Sequence, residues 1–206
     1  KELESARGKF ARALRAYETE GGRYINRART LPQALVADCR FMADRYEMLK
    51  HLPKGAVCAE VGTDRGDFAR RILEDCAPGH LHVLELDVSR IDPANLTDPV
   101  AEGRATIHAG DSAASLAGFA DGFFDWVYID GDHSYPGVRR DIAAAEPKVK
   151  PGGLLVFNDY CVWSVTSMRQ CGVAQAVNEL VLEKQWPLVY FAFQTSGYFD
   201  VAVRKS

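Results

Sequence analysis

From residue 53 onwards the chain alternates short apolar runs with helix-like segments, and this alternation restricts the fold more than any other feature. The apolar runs are nearly continuous and cover residues 56–61, 81–86, 105–109, 125–130 and 153–158. Helix-like segments separate or follow them, at residues 67–76, 113–117, 138–145 and 173–184. Continuous apolar runs of this length are typical of strands that are buried on both faces. Such strands, connected by helices, predict an α/β fold with a doubly wound, Rossmann-like parallel sheet.

The C-terminal tail departs from this rhythm. Two strand-like runs, at residues 188–194 and 198–204, are joined only by Thr195, Ser196 and Gly197. A connection this short permits only an antiparallel pair. We therefore predict a seven-stranded sheet that closes with an antiparallel C-terminal hairpin.

The first 52 residues follow a helical pattern, so we predict an N-terminal helical extension (1–52) before the main domain (53–206). An apolar stripe at helical spacing indicates one amphipathic helix across residues 31–49, with Thr30 as its cap and Pro32 in its first turn. The stripe consists of Leu31, Leu35, Cys39, Met42, Tyr46 and Leu49. Core packing is the favoured role of this stripe, while a lid or a dimer surface stays open. The sequence is thus compatible with a homo-oligomer.

Charge and cysteine usage narrow the classes of partner. Residues 1–50 hold 11 Lys and Arg against 7 Asp and Glu, but bases do not alternate with aromatic residues as in a nucleic-acid groove. The apolar runs are far shorter than the ~20 residues that span a bilayer. The five cysteines form no C-x-x-C pair, which argues against a disulfide framework or a thiolate zinc site. With no signal segment at the start, we expect a cytoplasmic protein without nucleic-acid or membrane partners.

The first strand ends in a glycine loop that contains Glu60, Gly62, Thr63, Asp64 and Gly66. A dinucleotide loop has glycine where this chain has Asp64, whose carboxylate would repel a diphosphate. The two glycines allow a tight turn, and an acidic lining suits a ligand that carries an ammonium and a sulfonium group. The alternative is an ordinary strand-to-helix turn that needs glycine.

Acidic residues also follow the second and third strands. Glu85 comes directly after the second apolar run, where a carboxylate can accept from the hydroxyls of a ribose, and Asp87 is the second candidate. After the third strand, Asp111 with Ser112 can bind an adenine amino group, or Asp111 can cap the next helix.

The fourth and fifth strands carry the sharpest pattern. Asp130, Asp132 and His133 follow the fourth strand, and Asn158 with Asp159 ends the fifth. Ligands of open parallel sheets bind at this carboxyl edge. Oxygen atoms of Asp130, Asn158 and Asp159 are donors of the type that Mg²⁺ prefers. The alternative is that Asp-Gly marks a turn and the histidine is structural.

From Glu60 to Asp159 the chain resembles the metal-dependent class I O-methyltransferases that use S-adenosylmethionine. The closest group contains the macrolide-sugar and aminocoumarin O-methyltransferases (methyltransferase family 24-like), and the catechol enzymes are more distant. The resemblance implies that Asp130, Asn158 and Asp159 bind Mg²⁺ and that His133, or Asp132 as in related members, is the catalytic base. One departure is the order Asn-Asp on the fifth strand, where the sugar enzymes usually carry two acids.

The acidic and glycine-containing strand ends described above predict which residues hold S-adenosylmethionine. The predicted residues are Glu60, Gly62, Thr63, Asp64, Gly66, Glu85, Asp87, Asp111, Ser112 and Asp130. We therefore predict an enzyme that moves a methyl group to a hydroxyl of a small sugar-containing or phenolic acceptor. Two alternatives stay open: a metal-independent small-molecule methyltransferase, and a non-catalytic protein that binds S-adenosylmethionine.

Overall fold

The computed structural model describes residues 1–22 and 28–206. The strands are β1 (Arg40–Met42), β2 (Val57–Val61), β3 (His80–Glu85), β4 (Ala105–Ala109), β5 (Phe124–Ile129), β6 (Val149–Phe157), β7 (Trp163–Ser164), β8 (Arg169–Gln170), β9 (Leu188–Phe193) and β10 (Phe199–Arg204). The α-helices are α1 (Glu2–Thr19), α2 (Arg45–His51), α3 (Asp67–Cys76), α4 (Pro93–Ala101), α5 (Ser112–Ala117), α6 (Tyr135–Ala145) and α7 (Val173–Lys184).

The main sheet has the order β1-β9-β10-β6-β5-β2-β3-β4. Strands β4, β3, β2, β5 and β6 pair in parallel, whereas β10 is antiparallel to both β6 and β9. The predicted parallel α/β sheet with a closing antiparallel hairpin is therefore confirmed. Within the described residues the sheet has eight strands instead of seven, because β1 adds in parallel to the edge of β9.

The core lies on both faces of the sheet. In β5, Trp126 and Tyr128 face a cluster with α2 and α3, while Val127 and Ile129 face a second cluster with α6 and α7. All four side chains are buried. Because neighbouring positions of a strand point to opposite faces, burial of both faces explains why the apolar runs are continuous.

The predicted amphipathic helix across residues 31–49 is wrong, and so is its cap at Thr30. A short 3₁₀ turn at Gln33–Leu35, strand β1 and helix α2 occupy this stretch. The stripe residues are shared between the two faces of the sheet: Leu35 packs on one and Leu49 on the other. Asp44 starts α2 by accepting a hydrogen bond from the Glu47 amide at 2.8 Å. Pairing with β9 and this cap outweigh the local helical pattern.

Helix α2 is tied to the sheet through Met48 and Leu49, which are completely buried. The division of the chain at 52/53 stays a prediction, but residues 40–51 pack against the sheet that follows it. In the part of the chain that the structure describes, no helix is both long and apolar enough for a membrane crossing.

Candidate active site

A cavity of about 420 Å³ opens at the carboxyl edge of β2, β3, β4 and β5. It lies where the strand order reverses, since β2 has β3 on one side and β5 on the other. This is the position at which open α/β sheets bind their ligands. The residues that line it are Glu60, Val61, Gly62, Thr63, Asp64, Phe68, Leu84, Glu85, Leu86, Arg90, Gly110, Asp111, Ser112, Asp130, Gly131, Asp132, Arg140 and Asp141.

The glycine loop between β2 and α3 forms one wall of the cavity. Gly62 has a φ of +79°, and a Cβ atom there would lie 2.3 Å from the carbonyl oxygen of Asp130. Only glycine allows this close approach, since it has no Cβ atom to clash with the backbone after β5. Gly66, with a φ of +82°, turns the chain into α3. The predicted need for glycine at both positions is thus explained by the backbone.

Glu85 binds the glycine loop from the neighbouring strand. Its Oε2 accepts hydrogen bonds from the backbone amides of Thr63 and Asp64, both at 2.9 Å, and its Oε1 accepts from the Asp87 amide at 3.0 Å. Glu85 also lines the cavity, whereas the Asp87 carboxylate binds Ser89 and does not belong to the lining. Of the two predicted ribose ligands, the fold therefore brings Glu85 to the cavity.

Glu60 is a completely buried carboxyl group in the cavity wall. Its Oε2 accepts a hydrogen bond from the Thr63 hydroxyl, but its Oε1 has no partner in the described residues. Burial raises the pKa of Glu60 to about 8, and the charges of Asp130 and Glu85 add to the rise. A buried acid with a free oxygen favours a positively charged or hydrogen-bond-donating ligand group.

Asp111 and Ser112, which the sequence predicts to bind an adenine amino group, lie at the start of α5. Asp111 Oδ1 accepts from the Ala114 amide at 3.0 Å, and Asp111 Oδ2 lies 3.3 Å from Arg140. The capping alternative is therefore realised, while both Asp111 and Ser112 also line the cavity. Ser112 donates to Asp141 at 2.7 Å, a buried acid on α6 that the sequence analysis missed.

The cavity lining is strongly acidic. Seven carboxyl groups, from Glu60, Asp64, Glu85, Asp111, Asp130, Asp132 and Asp141, face two guanidinium groups, from Arg90 and Arg140. Such a lining favours a ligand with positive charge over a diphosphate. The donor chemistry thus fits S-adenosylmethionine, which carries an ammonium and a sulfonium group.

A second cluster lies beside the cavity, where β5 and β6 end. Backbone hydrogen bonds from Asp130 to Val61 (2.8 Å) and from Asn158 to Ile129 (3.0 Å) bring these strand ends together. His133 Nε2 lies 3.1 Å from Asp130 Oδ1, and its Nδ1 lies 3.6 Å from Asp159 Oδ2, beyond hydrogen-bond distance. The fold therefore brings together the predicted Asp130, His133 and Asp159.

Electrostatics around His133 favour its protonated form. Burial lowers the pKa of His133, but the hydrogen bond and charge of Asp130, with the charge of Asp159, raise it above its ordinary value. Burial raises the pKa of Asp159. Proton transfer to His133 is thus assisted by carboxylates on either side.

Asp132 has a different environment. Its two oxygens accept hydrogen bonds from the Ser134 amide (2.9 Å) and the Ser134 hydroxyl (2.7 Å), which lower its pKa. These contacts belong to the turn that leads into α6. Asp132 is therefore the weaker of the two predicted bases.

Asn158 presents its amide nitrogen to Asp130, with Nδ2 2.8 Å from Asp130 Oδ1. Its carbonyl oxygen accepts from the side chains of Arg45 (3.4 Å) and Gln194 (3.2 Å), and it lies 3.4 Å from the Tyr128 hydroxyl, which donates its proton to Asp200. The residues predicted from the sequence do not include these three or the buried Asp200, which binds Tyr128 and Gln194. No local motif distinguishes them, since they come from α2, β5 and the C-terminal hairpin.

This arrangement does not fit the predicted Mg²⁺ site. The imidazole of His133 lies between the carboxylates of Asp130 and Asp159, and the Asn158 carbonyl oxygen is directed to other donors. Among the described residues, no group of three or more His, Cys, Asp or Glu side chains has the geometry to hold a metal ion. As placed, the donor set therefore differs from the three-oxygen set that the resemblance implies.

The comparison with protein families agrees with the geometry. A family model described as a methyltransferase domain matches residues 59–160, about half of the chain, from β2 to the residue after Asp159. Residues 59–160 are therefore a methyltransferase domain of the family 24 group. No protein with curated annotation matches the sequence.

Solved structures share the fold at low sequence identity. An O-methyltransferase family protein from Burkholderia thailandensis is 15% identical, with a TM-score of 0.60 over 79% of this chain and 55% of its own. The m1A22 tRNA methyltransferase of B. subtilis is 14% identical (TM-score 0.59; coverage 80% and 66%). The 1,6-didemethyltoxoflavin N1-methyltransferase of B. thailandensis, solved with S-adenosylhomocysteine, is 17% identical (TM-score 0.56; coverage 80% and 79%). The chain thus spans less than two thirds of the length of the first two.

These three structures differ in what their titles name as substrate or reaction, although they share the fold. The likeness therefore establishes the fold of this chain and leaves its acceptor open.

Proposed function

We propose that the chain is an O-methyltransferase that acts on a hydroxyl of a small molecule, with His133 as the general base. The observation that carries this proposal is His133 between Asp130 and Asp159, directly beside the acidic cavity. A sugar-containing or phenolic acceptor is the class that the sequence resemblance implies.

His133 has the geometry that a base needs. With Nε2 hydrogen-bonded to Asp130, Nδ1 is the nitrogen that takes the acceptor proton. Asp130 holds the ring and stabilises the imidazolium that results, as a carboxylate does in other acid-base pairs of this type. The charge of Asp159 adds to this stabilisation.

The cavity side binds the methyl donor. S-adenosylmethionine supplies an electrophilic methyl group on a sulfonium when it is bound. We propose that Glu60 binds a positively charged group of S-adenosylmethionine, because this acid is buried and its Oε1 has no partner in the described residues. We assign Glu85 to the ribose hydroxyls, because it lines the cavity and Oε1 accepts only one hydrogen bond from the described residues. Most of the protein's contribution is then the positioning of acceptor and donor.

The role of Mg²⁺ is the part of the prediction that the geometry favours least. Because the donors do not fit a Mg²⁺ site, we propose that proton removal depends on His133 and that transfer proceeds without a metal. This is the metal-independent alternative of the sequence analysis. Mg²⁺ dependence stays a prediction of the family resemblance alone.

The test uses the full chain with radiolabelled S-adenosylmethionine and a panel of phenolic and sugar-containing hydroxyl compounds, in excess EDTA and in Mg²⁺. We expect transfer to oxygen with equal turnover in both conditions. His133→Ala should lower kcat by roughly 10² to 10⁴, the usual contribution of a positioned base, with cofactor affinity retained. Asp132→Ala is the matched control and should keep near-normal kcat.

Several results would contradict the proposal. Methylation of nitrogen or sulfur acceptors alone would exclude the O-methyl assignment. Cofactor binding without transfer to any acceptor would favour a binding protein. Turnover that is lost in EDTA and restored by Mg²⁺ would support the metal site instead. Loss of kcat in Asp132→Ala but not in His133→Ala would move the base to Asp132.

A further inference from the structure

Arg45 reaches the active site from a part of the chain that lies outside the matched methyltransferase region. It is the first residue of α2, whereas the family model begins at residue 59. Its guanidinium group lies over the ring of Phe68 at 4.5 Å, and its Nη1 lies 3.4 Å from Asn158 Oδ1. The contact between Arg45 and Asn158 joins residues that are 113 positions apart in the sequence.

The Arg45 contact fixes the direction in which the Asn158 amide points. Gln194 also donates to the Asn158 oxygen, at 3.2 Å, whereas the single hydroxyl proton of Tyr128 is donated to Asp200. A carbonyl oxygen accepts where an amide nitrogen only donates, so the Arg45 and Gln194 donors on one side keep the nitrogen on the other side. That nitrogen donates to Asp130 Oδ1, the oxygen that lies beside His133 Nε2.

Arg45 also places a positive charge beside a group of acids. Asp130, Asp159 and the completely buried Asp200 cluster here, and Arg45 is the arginine that faces them from α2. A fixed cation offsets the mutual repulsion of these acids without occupying the space between Asp130 and Asp159.

We propose that Arg45 is a positioning residue for the methyl transfer: through Asn158 it orients Asp130 and so holds the imidazole of His133. This inference rests on the proposed function for its meaning in catalysis. The contact chain runs from Arg45 to the Asn158 oxygen, from the Asn158 nitrogen to Asp130, and from Asp130 to His133.

The test observes the His133 ring directly and does not need the acceptor. Nitrogen and proton signals of the histidine rings are recorded by NMR on the ¹⁵N-labelled full chain with S-adenosylhomocysteine at one fixed pH. Loss of a signal in His133→Gln assigns it. Arg45→Met keeps an apolar stem over Phe68 but removes the charge, and Asn158→Ala removes the link. Arg71→Ala is the matched control, because Arg45 and Arg71 both lie over the Tyr46 ring but Arg71 bonds to Glu74 and Asp75.

We expect Arg45→Met and Asn158→Ala to shift the His133 signals in the same direction, and the double variant to shift them no further. Arg71→Ala should leave them unchanged, and Arg45→Lys should keep most of the wild-type position. Where an acceptor has been found, Arg45→Met should lower kcat by roughly 10² with the S-adenosylhomocysteine Kd retained, since a small misplacement has an effect of that size.

The inference is overturned if Arg45→Met leaves the His133 signals in place, or if its shift adds to that of Asn158→Ala. Should Arg45→Met not fold, Arg45→Gln gives the same comparison with a neutral polar side chain. Wild-type protein that transfers no methyl group contradicts the proposed function alone, because the NMR comparison still reports on the contact chain.

Discussion

At the scale of single residues, the site depends on carboxyl groups whose surroundings differ. Glu85 accepts hydrogen bonds from three backbone amides, whereas Glu60 keeps one oxygen without a partner in the described residues. Burial without full hydrogen bonding disfavours the ionised form, which is why the pKa of Glu60 rises to about 8. Two acids on neighbouring strands thus line one cavity with different hydrogen-bond partners.

Glu60 should release a proton when the cofactor binds. Near pH 7 its carboxyl group is protonated in the free protein, and a positive ligand group beside it lowers its pKa. We expect the binding enthalpy of S-adenosylmethionine, measured by calorimetry at pH 7, to depend on the ionisation enthalpy of the buffer. Glu60→Gln keeps an acceptor for Thr63 but cannot ionise, so this dependence should disappear. An unchanged dependence in Glu60→Gln would assign the proton to another group.

At the scale of elements, β3 and β4 carry a polar feature on an otherwise apolar face. His82 Nδ1 lies 2.9 Å from His108 Nε2, and the His82 ring lies 4.9 Å from the ring of Phe119. Burial, together with the charges of His80 and His108, lowers the pKa of His82 to about 4. The strand pair therefore favours neutral histidines.

This pair should make the free energy of unfolding depend on pH. Because the pKa of His82 is lower in the folded state than in the unfolded state, the unfolded chain binds more protons between about pH 6.5 and pH 4. Stability is thus retained above this window and lost as pH falls through it. Urea unfolding at pH 7.5 and pH 5 should show a smaller difference for His82→Phe than for the wild type.

His51→Gln is the matched control for that measurement, since His51 lies on α2, away from the pair. It should keep the wild-type difference between the two pH values. If His82→Phe shows the same difference in the free energy of unfolding as the wild type, groups other than His82 cause the loss of stability at acid pH.

At the scale of the whole molecule, cofactor binding should stabilise the fold. The cavity is built from the ends of four strands and from α5 and α6. The unfolded chain has no such cavity, so a ligand of this site binds only the folded protein. A ligand at a concentration of 100 Kd adds about 2.7 kcal/mol to the free energy of unfolding. For a chain of this length that corresponds to a rise in Tm of roughly 5 to 10 °C.

We therefore expect S-adenosylhomocysteine to raise the Tm by this amount and NAD to leave it unchanged. The Thr63 and Asp64 amides, which a diphosphate would need, are already bonded to Glu85, and the lining is acidic. Thermal scans with each ligand test this. An equal rise with NAD would contradict the assignment of the cavity.

Local patterns in the sequence determined much of the fold. The continuous apolar runs predicted five parallel strands, and the three-residue link predicted the hairpin, because strand burial and turn length are local consequences of composition. The same holds for Gly62 and Gly66, where the chain has to turn tightly. The acids Glu60, Glu85 and Asp130 could be found because parallel strands end at one edge of the sheet.

The tertiary structure decided what depends on contacts between distant residues. Residues 31–49 carry a helical stripe, yet pairing of β1 with β9 and burial on two faces divide it into separate elements. The direction of the Asn158 amide depends on Arg45 and Gln194, which lie far from it in the sequence. The identity of Asn158 allows either its oxygen or its nitrogen to face Asp130. Only the donors that the fold places around it select the nitrogen, because Arg45 and Gln194 require the oxygen on their side.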